Sequence, residues 1–247
     1  DGLAGETGDD TYDAAFDVDN AGLLSDDLVV AWSLPSGVRD QRDGVDHVTV
    51  CFSQPIFSNS FTPRDVQVMT PGGEIRATAV TALSATIFRV EFPRQDALGA
   101  YSVRVGPDIL ASDGGKMNSD GDAVDGEPVD DAYVANFEIR DLHGPRVVSY
   151  SPDFWMATPV DAIEVIFDEA VDPLSFTTAD VTITGPDGPI AVSGVQAVSD
   201  TVFRIDLPSQ IAAGEYAFTV GPDVLDVHGN AMDQDLDDVN GTPGDTL

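Results

Sequence analysis

This chain repeats itself at a fixed interval, and that constrains its fold more than any other feature. "FTPRDVQVMTPGGEI" (Phe61–Ile75) returns as "FTTADVTITGPDGPI" (Phe176–Ile190), and "TIFRVEFP" (Thr86–Pro93) returns as "TVFRIDLP" (Thr201–Pro208). "GAYSVRVGPDIL" (Gly99–Leu110) returns as "GEYAFTVGPDVL" (Gly214–Leu225), and "GGKMNSDGDAVDGEP" returns as "GNAMDQDLDDVNGTP". All keep one offset of 115 residues, as from Phe61 to Phe176 or Met117 to Met232. An ungapped match of this length makes the chain two homologous domains. A length of 247 residues lets each of them bury its own core.

Each copy reads as all-β. Alternating runs such as Val48/Val50/Phe52, Phe88/Val90/Phe92 and Tyr101/Val103/Val105 are separated by Pro, Gly and Asp turns roughly every ten residues. "TPGGE" and "GPDGP" have the composition of hairpin turns, whose glycines take positive φ. About seven strands per copy predicts an Ig-like Greek-key β-sandwich, twice in tandem, without the cysteine pair of antibody domains. The expected boundaries are 28–141 and 142–247, preceded by an acidic loop and an orphan strand over 1–27. Cys51, the single cysteine, faces away from Val48, Val50 and Phe52 and is expected to be a half-buried structural thiol.

Several motifs carry a resemblance. "GPRVVSYSP" (Gly144–Pro152) leads into "IEVIFDEAV" (Ile163–Val171), and these precede an "F-x-x-x-D-V" segment, a "G-x-Y" strand and "DVHGNAM" (Asp226–Met232). This order resembles the bacterial Ig-like domains of the SbsA and Big families, found in tandem in surface-layer proteins, adhesins and secreted multidomain enzymes. The resemblance covers almost the whole chain, twice. The first copy departs from it with "ASDGGKM" (Ala111–Met117) in place of "DVHGNAM" and with a longer loop at "SGVRDQRDGVDH" (Ser36–His47). The resemblance implies a fold and a setting, not a chemistry.

Charge points to a ligand. The chain holds 44 acidic and 11 basic residues, a net charge of −33, and 36 of the acids are Asp. Such a field repels nucleic acid and anionic lipid and attracts cations. Two explanations fit, cation-binding loops and a surface adapted to a saline habitat. The acids cluster in two loops. Asn118, Asp120, Asp122 and Asp125, with Glu127 beyond them, are spaced like Asp233, Asp235, Asp237 and Asn240. Alternating carboxylates put several oxygens into one turn, the donor set of a hard cation with 6–8 oxygen ligands at about 2.3–2.6 Å. The pattern resembles the aspartate-rich calcium loops of thrombospondin type 3 repeats and dockerins. The EF-hand glycine and glutamate are missing. Ca²⁺ is the expected ion in both loops, with Asp141 of the linker "IRDLHGP" offering a further oxygen to the second.

The family pattern places a strand after the acidic loop. "AYVANFEI" (Ala132–Ile139) supplies it in the first copy, and the second copy lacks its counterpart. "TYDAAFDV" (Thr11–Val18) reads as the last strand of an upstream copy, so the chain is expected to be a piece of a larger protein. That segment can also complete another molecule's sheet, a head-to-tail contact. His47, His143 and His228 are isolated and expected at the surface or in turns, and no nucleophile elbow, phosphate loop or metalloprotease motif is present. No apolar run is long enough for a membrane helix. The expectation is a non-catalytic structural or adhesive segment of a secreted or cell-surface protein, with neighbouring Ig-like domains as partners. The alternative is a carbohydrate-binding module of a secreted hydrolase, in which Trp32 and Trp155, expected first as packing at the domain junction, would stack on sugar rings.

Overall fold

The computed structural model describes residues 27–122, 124–154 and 156–247. The orphan strand at 11–18 and Trp155 therefore lie outside the described residues. The chain divides into two units. The first contains the described residues up to Arg39 together with Asp43–Ile139, and the second Asp40–Arg42 together with Arg140–Leu247.

In the first unit, strands β1 (Val30–Leu34), β3 (Val45–Phe52), β6 (Ala79–Ala82) and β7 (Ile87–Gln95) form a sheet in the order β1-β3-β7-β6. The others are β2 (Gly37–Asp40), β4 (Val66–Thr70), β5 (Gly73–Ile75), β8 (Gly99–Val105) and β9 (Tyr133–Arg140), in the order β2-β9-β8-β4-β5. The period of two puts Val48, Val50, Phe88 and Val90 of one sheet and Val68, Tyr101, Val103, Phe137 and Ile139 of the other into one core. Two antiparallel sheets closed over a shared apolar layer make this an Ig-like β-sandwich.

The second unit repeats the plan. One sheet is β10 (Val147–Ser151), β11 (Val160–Phe167), β15 (Val202–Gln210) and β14 (Gly194–Ala197) in spatial order. The other is β13 (Gly188–Ile190), β12 (Val181–Gly185) and β16 (Ala217–Val220). Phe52, Phe61 and Phe88 meet edge-on with ring centroids 5.5–5.8 Å apart. Phe167, Phe176 and Phe203 repeat the cluster at 5.3–5.8 Å. Burial of each such ring contributes about 1.5–3 kcal/mol, so the repeated phenylalanines are the packing centre of each copy.

The repeated Thr and Asp of "FTPRD" and "FTTAD" have local work. Each threonine N–H donates to the aspartate three residues on, at 2.8 Å for Thr62–Asp65 and 2.7 Å for Thr177–Asp180, a capping box over one 3₁₀ turn. One glycine of each hairpin turn takes positive φ, Gly73 at 113° and Gly188 at 111°.

The two units differ at one sheet edge. β8 pairs with β9 along its length, from Gly99↔Ile139 to Val105↔Tyr133. Among the described residues, β16 has a strand neighbour on one side only, β12. On its other side Leu247 N–H donates to Val220 O at 3.0 Å.

Candidate metal centre

Both acidic loops begin immediately after a core methionine. Met117 and Met232 are fully buried, and each carbonyl accepts from a glycine nine residues on, Gly126 at 2.8 Å and Gly241 at 2.7 Å. Both glycines have positive φ, which suits this turn. The core thus fixes both ends of each acidic excursion, and the loop presents its carboxylates from a rigid base.

In the second unit Asp233, Asp235 and Asp237 converge as their spacing implies, and Asp245 joins them. One oxygen from each of the four lies within 4.8 Å of the others. Asp245 is absent from the expected ligand set. A 3₁₀ turn over Pro243–Asp245 carries it back to the loop. Its Oδ2 accepts from Thr242 N at 2.7 Å and Thr242 Oγ1 at 2.9 Å. The "TPGD" capping-box pattern was the signal in the sequence that could have found it. Burial pushes the Asp245 carboxyl up, but the Thr242 hydrogen bonds and the nearby amides of Asp235 and Gln234 hold it below the usual carboxylate range. The group is therefore an anion at neutral pH. Asp235 moves the other way, raised by desolvation and then by the charges of Asp237 and Asp245. Asp233 and Asp245 are both essentially fully buried, and Asp233 Oδ2 and Asp245 Oδ1 have no hydrogen-bond partner within good geometry. Buried carboxylate oxygens left bare are costly unless a cation compensates them.

Asn240 and Asp141 do not join this cluster. Asn240 turns its Nδ2 to Leu142 O at 3.0 Å, holding the linker. Asp141 stands with Asp226 and His228 instead. The reason is the path of the linker, which Asn230 Nδ2 pins through Asp141 O at 3.3 Å. Asp226 is itself consumed by the turn of "DVHGN", accepting from His228 N at 2.7 Å and from Asn230 N and Nδ2 at 2.8 Å.

The first loop is built differently. Asn118, at the place of Asp233, satisfies itself: Oδ1 accepts from Gly121 N at 2.9 Å, and Nδ2 donates to Asp122 O at 2.7 Å. Asp122 accepts from Val124 N, and buried Asp131 accepts from both Ser119 N and Glu127 N at 2.8 Å. Asp120 and Glu127 come together, with Asp130 as third member; Asp122 and Asp125 stand outside that group. Glu127 is raised by desolvation and by the charges of Asp122, Asp130, Asp120 and Asp131.

One histidine departs from expectation. His143 is not a surface group. Its side chain is 16% exposed, with Nδ1 3.7 Å from Asp233 Oδ2 and 3.5 Å from Asp238 Oδ1, and Nε2 3.0 Å from Asp40 Oδ2. A linker whose Pro145 O accepts from Asp233 N is what buries it. Asp238 presents its carboxylate from a left-handed backbone at φ 64°. His228 stays half-exposed, 3.4 Å from Asp141 Oδ2. Trp32 is 41% exposed. Cys51 is a free, half-buried thiol, paired across to Trp32 on β1.

Two antiparallel sheets over one core give each unit the architecture of an Ig-like domain. The model of a bacterial Ig-like domain family matches residues 141–240, within the second unit. No curated protein matches the chain. Among solved structures it is similar to CopC from Methylosinus trichosporium OB3b, at 12% identity over 46% of this chain and 94% of that one, with a TM-score of 0.34. It is similar to the N-terminal part of the bacterial S-layer protein SbsC at 10% identity over 75% of this chain, with a TM-score of 0.33, and spans 41% of that chain. A titin A168–A169 structure is similar at 12% identity over 79% and 88%, with a TM-score of 0.33. No helix among the described residues is long and apolar enough to cross a membrane.

Proposed function

We propose that this chain is a non-catalytic structural or adhesive segment of a larger secreted or cell-surface protein, in which Ca²⁺ bound by an Asp-rich loop stiffens tandem Ig-like domains. The observation that carries the reading is the quartet Asp233, Asp235, Asp237 and Asp245, two of them buried and each of those with an oxygen that nothing in the chain satisfies. An all-oxygen, multiply charged set suits a hard cation, and Ca²⁺ tolerates the irregular geometry of a loop better than Mg²⁺ does. The ion would join the loop that follows buried Met232 to the 3₁₀ turn over Pro243–Asp245, locking one end of the sandwich. The first loop, with an asparagine in place of Asp233, would bind more weakly.

The test is thermal unfolding of the chelator-treated protein against added Ca²⁺, with Mg²⁺ and matched NaCl as controls. A melting temperature that rises with micromolar-to-millimolar Ca²⁺ and not with NaCl supports the reading. An equal response to NaCl would make the loops an acidic coat and sink it.

The open side of β16 favours a further element, self-association through residues 11–18. "TYDAAFDV" shares the Tyr, Ala and Phe spacing of "AYVANFEI". Transferring the β8–β9 register by the repeat offset sets Ala14 against Phe218 and Phe16 against Tyr216. Light scattering of Phe16→Asp beside the parent chain tests it: assembly lost in the variant supports strand addition, and a parent chain that stays monomeric rejects it.

A further inference from the structure

We propose that the second unit holds another cation site, of a different chemical class, in which His143 Nδ1, Asp233 and Asp238 bind a borderline transition-metal ion such as Zn²⁺. The distances set the argument. Nδ1 lies 3.7 Å from Asp233 Oδ2 and 3.5 Å from Asp238 Oδ1, and it makes no hydrogen bond. Those separations are too long for N–H···O bonds. They are close to the edge of a tetrahedron whose metal–ligand bonds are about 2.0–2.2 Å, roughly 3.3–3.6 Å. Small movements would put all three donors on one ion.

Burial makes the arrangement more than a chance meeting of charges. Asp233 is 1% exposed, and its Oδ2, aimed at the imidazole, is without a hydrogen-bond partner. His143 is itself largely enclosed. On its far side Nε2 is 3.0 Å from Asp40 Oδ2, on the 40–42 segment that belongs to this unit. No hydrogen bond joins them as they stand, but a small turn of the ring would let Nε2–H donate to that carboxylate and leave the Nδ1 lone pair free for a metal, the usual outer-shell arrangement of metal-binding histidines. Asp238 is 79% exposed, so the site opens to solvent on that side and water can complete the coordination.

The donor set separates this site from the calcium quartet. Imidazole nitrogen suits Zn²⁺, Co²⁺ and Ni²⁺ and is a poor ligand for Ca²⁺, which takes oxygen. The two clusters share Asp233 alone. A metal here would staple the linker at His143 to the acidic loop at Asp233 and Asp238, with Asp233 as the carboxylate common to both clusters.

Co²⁺ is a spectroscopic stand-in for Zn²⁺. The full, untagged chain in millimolar Ca²⁺ is titrated with Co²⁺ and read by visible absorption, then challenged with Zn²⁺. The expected result is one equivalent bound with the intense bands of a four-coordinate ion, bleached by Zn²⁺. His143→Ala and Asp238→Asn should each weaken binding more than tenfold and keep the calcium-dependent melting shift, while Asp40→Asn should weaken it about 10–100-fold. Asp235→Asn should do the reverse, losing the calcium shift and keeping the cobalt bands. The proposal is overturned if cobalt uptake is the same in the parent chain and both ligand variants, or if Ca²⁺ competes it away. An absent calcium shift with intact cobalt bands would sink only the calcium reading.

Discussion

Asp245→Asn tests the calcium quartet through a change in sign. The substitution keeps the shape of the side chain and an acceptor for Thr242, whose N and Oγ1 donate to it at 2.7 and 2.9 Å. Hydrogen bonds to a charged partner contribute about 1.5–3 kcal/mol and neutral ones about 0.5–1.5 kcal/mol, so weakening two of them costs roughly 2 kcal/mol. Against that stands relief of repulsion, because Asp245 is buried with three other carboxylates within 4.8 Å. In chelator these effects oppose, and the variant should melt within a few degrees of the parent. In Ca²⁺ at a hundred times its dissociation constant the parent gains about 2.7 kcal/mol. At roughly 4 °C per kcal/mol for a unit of this size, that is a gain of about 10 °C. The variant, with one anionic ligand fewer, should forfeit most of it. The assay is differential scanning calorimetry of both proteins in chelator and in Ca²⁺. If Asp245→Asn keeps the full calcium-dependent rise, Asp245 is a turn cap alone and the quartet is not the site.

Two further outcomes follow from the packing and the charges. Gly144→Ala would place a Cβ 1.5 Å from Ala231 O, a backbone atom that cannot step aside, so the linker must leave the loop. We expect at least the 1–3 kcal/mol typical of overpacking, measured by urea unfolding, and a melting curve identical to the parent would contradict the contact. Glu169 is pushed up to about 7 by desolvation first and then by Asp141, Asp226 and Asp168, with Arg42 opposing. A folded pKa above the unfolded one means that its contribution is fully present below about pH 4.5 and is lost as pH rises through 7. Glu169→Gln should therefore leave stability unchanged near pH 4 and raise it at pH 8, by about 1 kcal/mol after solvent screening. A gain of equal size at both pH values would refute the assignment.

The sequence by itself determined the repeat, the strands and the loops. Apolar residues at every second position, such as Val48, Val50 and Phe52, can only cover one face of a strand, and the 115-residue offset carries that pattern into the second copy unchanged. The three aspartates Asp233, Asp235 and Asp237 were legible for the same reason: short-range spacing within one turn fixes which side chains converge. Tertiary structure decided everything that depends on chain segments meeting. Asp245 joins the quartet because a capped turn returns it to the loop, and Asp141 leaves it because Asn230 holds the linker elsewhere. Asn118 and Asp233 occupy equivalent places, yet the amide closes its own hydrogen bonds while the carboxylate keeps a bare oxygen, so two loops of one spacing differ in what they can bind. His143 shows the limit most plainly. In the sequence it is a lone histidine in a polar linker, and only the burial of that linker against the acidic loop brings its ring within 4 Å of three carboxylates.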